Sequence, residues 1–428
     1  MNQDSDTQSI TARAQPHPDG KGRAPKPAHV PDELVRDIDM YELDGIENGY
    51  HEAWVALQQA EGMHKLVWTP LTGGHWIAMD GQLVREIYED YDRFSSEVIF
   101  LPKEAGEKYA MVPTTMNPPE HTPYRKLLVS ALNPARIREM EGFVRQASAD
   151  IIEGFVKRGK CDFSAEYGRV YPVKIFMTMC DLPLEDVPML SKFVDDMTRP
   201  PGKTPQEQAV ALEEANKGFF EYVEGYIQKR KGGTGNDLVT LFVSGEVNGK
   251  TIEHDKALGL ISLLLLGGLD TVLNFLSFMM LYLARNPHKV AEIRDNDLKL
   301  RRGVEELFRR FPIVSEARMV AKDLRFHGVD LRRGDMVLIP TAMSNFDEKE
   351  NPNPFELDWE RKQLKHSTFG GGPHRCPGLH LARMEATITL QEWLKRIPEF
   401  HLAEGTKPIF QSGITATCQN VQLEWSVA

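Results

Sequence analysis

The segment Leu258–Ala284 limits the possible folds more than any other part of the chain. It is apolar for far longer than an ordinary surface helix allows, and it is long enough to cross a bilayer, for which about 20 apolar residues suffice. Its centre argues against that reading. Asp270, Thr271 and Asn274 stand there beside Gly267-Gly268, and a charged side chain at mid-membrane is costly. No other segment offers a second span to pair with it. The segment is therefore expected to be a long helix through the core of a large soluble protein, apolar on all sides because it is surrounded. The 428 residues, 41% hydrophobic and 26% charged, suit such a globular protein.

Helical spacing of apolar residues also predicts helices over Pro134–Arg158, Ala209–Lys229, Asp255–Arg285 and Leu379–Arg396. Strand signals are few. Two short apolar runs within Lys65–Met79 flank Gly73-Gly74 and predict a β-hairpin. Phe326–Ile339 reads as strand, with Gly328 and Gly334 as turn residues. The fold class is thus mainly α with a small β portion, too poor in strands for a doubly wound sheet. Residues 1–34 are polar and rich in Pro, Gly and Gln, without the apolar core of a secretory signal. They are expected to be a mobile tail before a single domain over 35–428. A net charge of −11 argues against non-specific nucleic-acid binding. The four cysteines (Cys161, Cys180, Cys376, Cys418) form no C-x-x-C pair, so neither a zinc site nor a disulfide framework is expected, and a cytoplasmic location is the simpler reading.

The chemistry concentrates in Phe369-Gly-Gly-Gly-Pro-His-Arg-Cys-Pro-Gly378. Clustered glycines let the backbone fold tightly against something flat. A cysteine just ahead of a helix sits at the positive end of the helix dipole, which favours the thiolate, the form that ligates metal. An isolated Gly-Gly-Gly would be read as a plain turn beside a buried cysteine. A phosphate-binding loop is excluded because no Gly-Lys-Ser/Thr follows the glycines. Glu306 and Arg309, three apart in Val304-Glu-Glu-Leu-Phe-Arg-Arg310, share one helix face and can pair. Alone, such a pair is commonly a solvated one. Thr271 could donate to the carbonyl one turn back, or, with Asp270, relay protons.

The ten-residue loop resembles the haem-binding loop of the cytochrome P450 family, residue by residue at Phe369, Gly372, Cys376 and Gly378. The resemblance implies the cytochrome P450 fold, with haem b buried between the long central helix and the cysteine loop and Cys376 as the iron's axial ligand. It implies that His374, His121, Arg125 and Arg318 meet the haem propionates, that Glu306 and Arg309 lock the core beneath the haem, and that Asp270 and Thr271 are the acid–alcohol pair delivering protons, with Arg199 paired to the acid. The likeness runs from about Val35 onward and is sharpest to the soluble bacterial camphor-hydroxylating branch. By position, Phe100, Tyr109, Thr114, Leu263, Leu266, Val314 and Ile414 would line the substrate pocket, with the Tyr109 hydroxyl bonding the substrate ketone. Leu266, Thr415, Ser191 and Glu316 depart from that branch's pattern. Pro377, which has no N–H, removes one possible hydrogen bond to the sulfur and should leave the iron harder to reduce.

The implied activity is hydroxylation of an unactivated C–H bond of camphor or a similar small bicyclic monoterpenoid, with dioxygen as co-substrate. No flavin or dinucleotide fingerprint stands in the chain, so electrons would come from a two-iron ferredoxin served by a flavoprotein reductase. Arg125, Lys126 and Arg375 are candidates for its docking patch. The alternatives are the same fold acting on another terpenoid, a peroxygenase or isomerase, which would not need Asp270-Thr271, and a haem-based binding or sensor protein without turnover. A membrane protein is the weakest reading.

Overall fold

The computed structural model describes residues 23–107, 111–198, 201–202 and 205–427. The helices that frame the site are α1 (His121–Ala131), α2 (Glu141–Glu153), α3 (Tyr171–Met179), α4 (Pro205–Arg230), α5 (His254–Leu269), α6 (Thr271–Arg285), α7 (Asp297–Arg310) and α8 (Leu379–Arg396). The long apolar segment is α5 followed directly by α6, a helical run from His254 to Arg285 interrupted at Asp270. Among the described residues, this run alone is long and apolar enough to cross a membrane. It is instead taken into the core: α5 packs on α3 and α4, and Phe275, Leu276, Met279, Met280 and Leu283 of α6 are buried. Gly268 is needed for this packing, because a Cβ there would stand 2.3 Å from the ring of Phe176 on α3. At the interruption, the Asn274 side-chain amide donates to the Asp270 carbonyl (2.9 Å) and carboxylate (3.0 Å).

The principal sheet has five strands: β1 (Leu66–Thr69), β2 (His75–Ala78), β3 (Phe94–Ser95), β4 (Ser315–Val320) and β5 (Met336–Pro340), in the order β1-β2-β5-β4-β3. The predicted hairpin is present, with Leu66 opposite Ala78 and Thr69 opposite His75. Gly73 and Gly74 close it at φ of 84° and 78°, a region open to glycine. Gly328 and Gly334 likewise turn the second strand region, which forms a small hairpin (Leu324–Phe326 with Val329–Leu331) ahead of β5.

Two expectations need correction. Pro134–Arg158 is not one helix: Pro134–Glu139, α2 and a 3-10 turn at Val156–Arg158 follow one another. Asn133 caps the first piece and the helix breaks at Met140, which keeps right-handed helical dihedrals, so the apolar spacing carries on and the break is invisible in periodicity. The expected tail is also too long. Residues 23–34 are docked: the Ala24 amide donates to the Pro70 carbonyl, Arg23 pairs with Asp37, and Val30 and Leu34 are buried in the core.

The core holds two fully buried histidines that fold as neutral rings. Burial pushes His75 down to about 3 and His51 well below its ordinary value. The unfolded chain therefore binds more protons below about pH 6.5, and stability should fall as pH drops from there, by at most about 1.4 kcal/mol per pH unit for each histidine. The urea midpoint is expected to drop between pH 7 and pH 5, and to drop less in His75→Phe.

Candidate active site

The cysteine loop is built by its own backbone. The Cys376 amide donates to the Phe369 carbonyl (2.7 Å), and Gly370 and Gly372 take φ of 66° and 57°. A Cβ on Gly372 would lie 2.5 Å from the Tyr88 carbonyl, so this turn closes only with glycine. Gly378 caps α8 two residues after the cysteine, which puts the sulfur near the positive end of an 18-residue helix. Burial pushes the Cys376 thiol up, against which the Gly378 amide and the Arg125 guanidinium act to favour the thiolate. The sulfur faces a cavity of about 280 Å³. Cys161, Cys180 and Cys418 are buried elsewhere and do not line it.

The opposite wall is the α5–α6 junction. Leu263, Gly267 and Thr271, spaced four apart, line the cavity together with Gly268 and Val272. The Thr271 hydroxyl donates to the Gly267 carbonyl one turn back (2.7 Å), and Asp270 is buried beside it. Arg199, the expected partner of Asp270, and Tyr109, the expected ketone donor, lie outside the described residues. Of the other expected pocket residues, Thr114, Leu263 and Val314 line the cavity. Phe100, Leu266 and Ile414 are not part of its wall. Ile414 is held next to it, its carbonyl accepting from Ser315 (2.9 Å) while Val314 bridges to Thr415. Most of the lining is apolar, including Leu128, Phe176, Phe275, Phe308 and Ile313.

At one edge, four basic residues converge. The rings of His121 and His374 are 4.4 Å apart. Burial and the neighbouring guanidinium groups push His374 down to about 3, and burial with Arg125 pushes His121 down to about 4. Both ring nitrogens of His121 and Nε2 of His374 are buried without a hydrogen-bond partner. Arg125 donates to the Arg375 carbonyl, and Arg318, 2% exposed, pairs with Glu316 at 3.2 Å. Buried donors of this kind require an acceptor. Together with a flat glycine loop, a sulfur facing an apolar cavity and basic groups at its edge, they fit a planar, dianionic, iron-bearing group such as haem.

Beneath the loop, Arg309 makes two bonds to Glu306 (2.7 and 2.8 Å), and both are essentially unexposed. Arg361 adds a third contact to Glu306 (3.1 Å), and Arg309 also donates to the Pro354 carbonyl (2.7 Å). Sequence reasoning missed three features. Phe176 closes the cavity from α3, and only the juxtaposition of α3 and α5 reveals it. Glu385, on α8, lines the cavity with neither carboxyl oxygen bonded, and burial pushes it well above the ordinary carboxylate range. Its place nine residues past the cysteine was a readable signal. Glu305, passed over beside Glu306, has its own partners, Arg383 and His366.

The fold and the site are those of a haem-thiolate enzyme. The family pattern described as "Cytochrome P450" matches residues 189–422. "Probable cytochrome P450 127A1" of Sinorhizobium fredii is 30% identical over 410 residues, covering 94% of this chain and 97% of the relative. "Cytochrome P450-terp" of a Pseudomonas species is 28% identical over 329 residues, 74% of this chain and 76% of that one. The crystal structure of CYP101J2 superposes with a TM-score of 0.86 at 38% identity, over 94% of this chain and 100% of its own. That of CYP101C1 gives 0.85 at 34% identity, with coverage of 94% and 100%. The chain belongs to the cytochrome P450 family of haem-thiolate monooxygenases.

Proposed function

We propose that this enzyme hydroxylates an unactivated C–H bond of camphor or a similar small bicyclic monoterpenoid. The observation that carries the reading is the apolar wall that Leu263, Val272 and Val314 give the Thr271 side of the cavity, with Thr114 among them; the space beside Cys376 is what the haem would take. A compact apolar substrate gains from such walls, and one donor then selects which carbon is presented. Tyr109 is the residue proposed to bond the ketone.

Cys376 would hold the haem iron, and His121, Arg125, Arg318 and His374 would hold its propionates. The bound iron would supply dioxygen activation and the oxidising power for the C–H bond. The chain's own part is positioning and proton handling. Leu263, Val314 and the surrounding apolar residues exclude water and orient the substrate. The Thr271 hydroxyl, whose proton is held by the Gly267 carbonyl at the point where the helix is interrupted, would turn from that carbonyl to hand the proton to the cavity, and Asp270 would recharge it, with Arg199 as the acid's partner. Electrons would come from a two-iron ferredoxin and its flavoprotein reductase, docking near Arg125, Lys126 and Arg375, the last two of which are exposed. A cytoplasmic protein suits such a partner.

The test is a camphor titration of the ferric protein followed by absorption. A saturable low-spin to high-spin shift of the haem-loaded protein is expected, with loss of at least about tenfold in affinity in Tyr109→Phe if its hydrogen bond orients the ketone. A thiolate-haem spectrum that camphor does not perturb would move the assignment to another terpenoid.

A further inference from the structure

Glu305 and Glu306 are neighbours on α7 but serve different partners. Glu306 turns into the core toward Arg309, whereas Glu305 faces α8 and the start of the cysteine loop. Arg383 makes a two-pronged contact with Glu305, Nε and Nη2 each donating at 2.6 Å, and the His366 ring nitrogen Nε2 stands 2.9 Å from the same carboxylate. Glu305 and Arg383 are each 27% exposed and His366 only 7%. Burial raises Glu305, but bonds from His366 and Arg383 outweigh it and bring the carboxyl down to about 2. The guanidinium of Arg383 lies 5.1 Å from the centre of the Phe369 ring, which also packs 4.8 Å from Phe308. Phe369 is the residue whose carbonyl receives the Cys376 amide at 2.7 Å. The positive charge of Arg383 also favours the Cys376 thiolate.

We propose that Glu305, Arg383 and His366 form a second ion lock, distinct from Glu306–Arg309, which positions the cysteine loop through the face of Phe369 and sets the charge felt at Cys376. The guanidinium meets two demands at once. Its fork fixes it on Glu305, and its face holds the aromatic ring by a cation–π contact. Glu305 balances a positive charge that would otherwise act on the sulfur undiminished. These are positioning residues, since none of them lines the cavity.

The proposal rests on the haem-thiolate reading, which the parent's absorption spectrum tests separately. The decisive measurement is the ferric/ferrous reduction potential of haem-loaded parent, Glu305→Gln and Arg383→Gln. Removing Glu305 uncovers the arginine's charge and should make the iron easier to reduce. Removing Arg383 leaves the carboxylate and should make it harder to reduce. Opposite displacements of about two- to fivefold in the ferric/ferrous equilibrium are expected, the range for a partly exposed charge. Arg383→Lys keeps the charge but loses the fork, so its potential should stay near the parent's while haem is released sooner on heating. That variant carries the test if Glu305→Gln fails to take up haem. Displacements in the same direction, no displacement, or a lysine variant that behaves like the glutamine one would overturn the lock. A parent without a thiolate-haem spectrum would overturn the haem-thiolate reading instead.

Discussion

Cys376→Ser is expected to abolish the thiolate-haem absorption signature and to reduce turnover by well over the roughly 10–100-fold that outer-shell partners of a metal typically cost. The reason is geometric. Cys376 carries the thiol that faces the cavity, and the other three cysteines are buried away from it. Serine preserves the size of the side chain and the amide bond to Phe369, so the loop should still close. What is lost is a polarisable, electron-donating ligand. The check is the spectrum of the reduced, carbon-monoxide-bound protein alongside product formation. A serine variant that keeps the thiolate signature would place the ligand on another cysteine.

Glu306→Gln is expected to cost about 3–5 kcal/mol, the range for removing one partner of a buried ion pair. Arg309 is 0% exposed and would keep its bonds to main-chain carbonyls but lose the opposing charge, and Arg361 would lose its carboxylate at the same time. A loss of this size is a large part of an ordinary protein's whole stability. A sharply lower urea midpoint and poor haem retention should follow. Glu305→Gln next door should stay within about 1 kcal/mol of the parent, because its site is 27% exposed and the charges there are screened by solvent. The two adjacent glutamates are thus separable by experiment: one governs whether the core holds, the other how readily the iron is reduced. Equal destabilisation by both would contradict this division.

Much of the site was legible in the chain. Cys376 and its glycines are contiguous, so the backbone turn that presents the sulfur is a local property. Glu306 and Arg309 are one helical turn apart, which makes their pairing local as well, although only burial by Pro354 and Asn345 turns a common surface pair into a core one. The hairpin at Gly73-Gly74 and the extent of α8 were similarly readable, since both depend on short-range pattern. Reading failed where a contact joins distant segments or where local pattern is silent about direction. The helix break at Met140 does not disturb apolar spacing. Residues 23–34 are docked partly through the Ala24 amide's bond to the Pro70 carbonyl, just past β1, a contact between distant segments that a polar segment's own pattern does not specify. Phe100, Leu266 and Ile414 are not among the residues that line the described cavity.

The sequence by itself determined the fold class, the glycine turn that presents Cys376, the adjacency of Asp270 and Thr271 and the pairing of Glu306 with Arg309, each encoded within a few residues. The tertiary structure alone decided which groups share one cavity. It brought His121 against His374, Phe176 against Gly268 and Arg383 across to Phe369, contacts that span 253 residues in the first case and that no local propensity specifies. It also decided charge. Glu385 is pushed up and Glu305 brought down on the same protein, because one carboxyl is buried without a partner and the other is held by an arginine and a histidine.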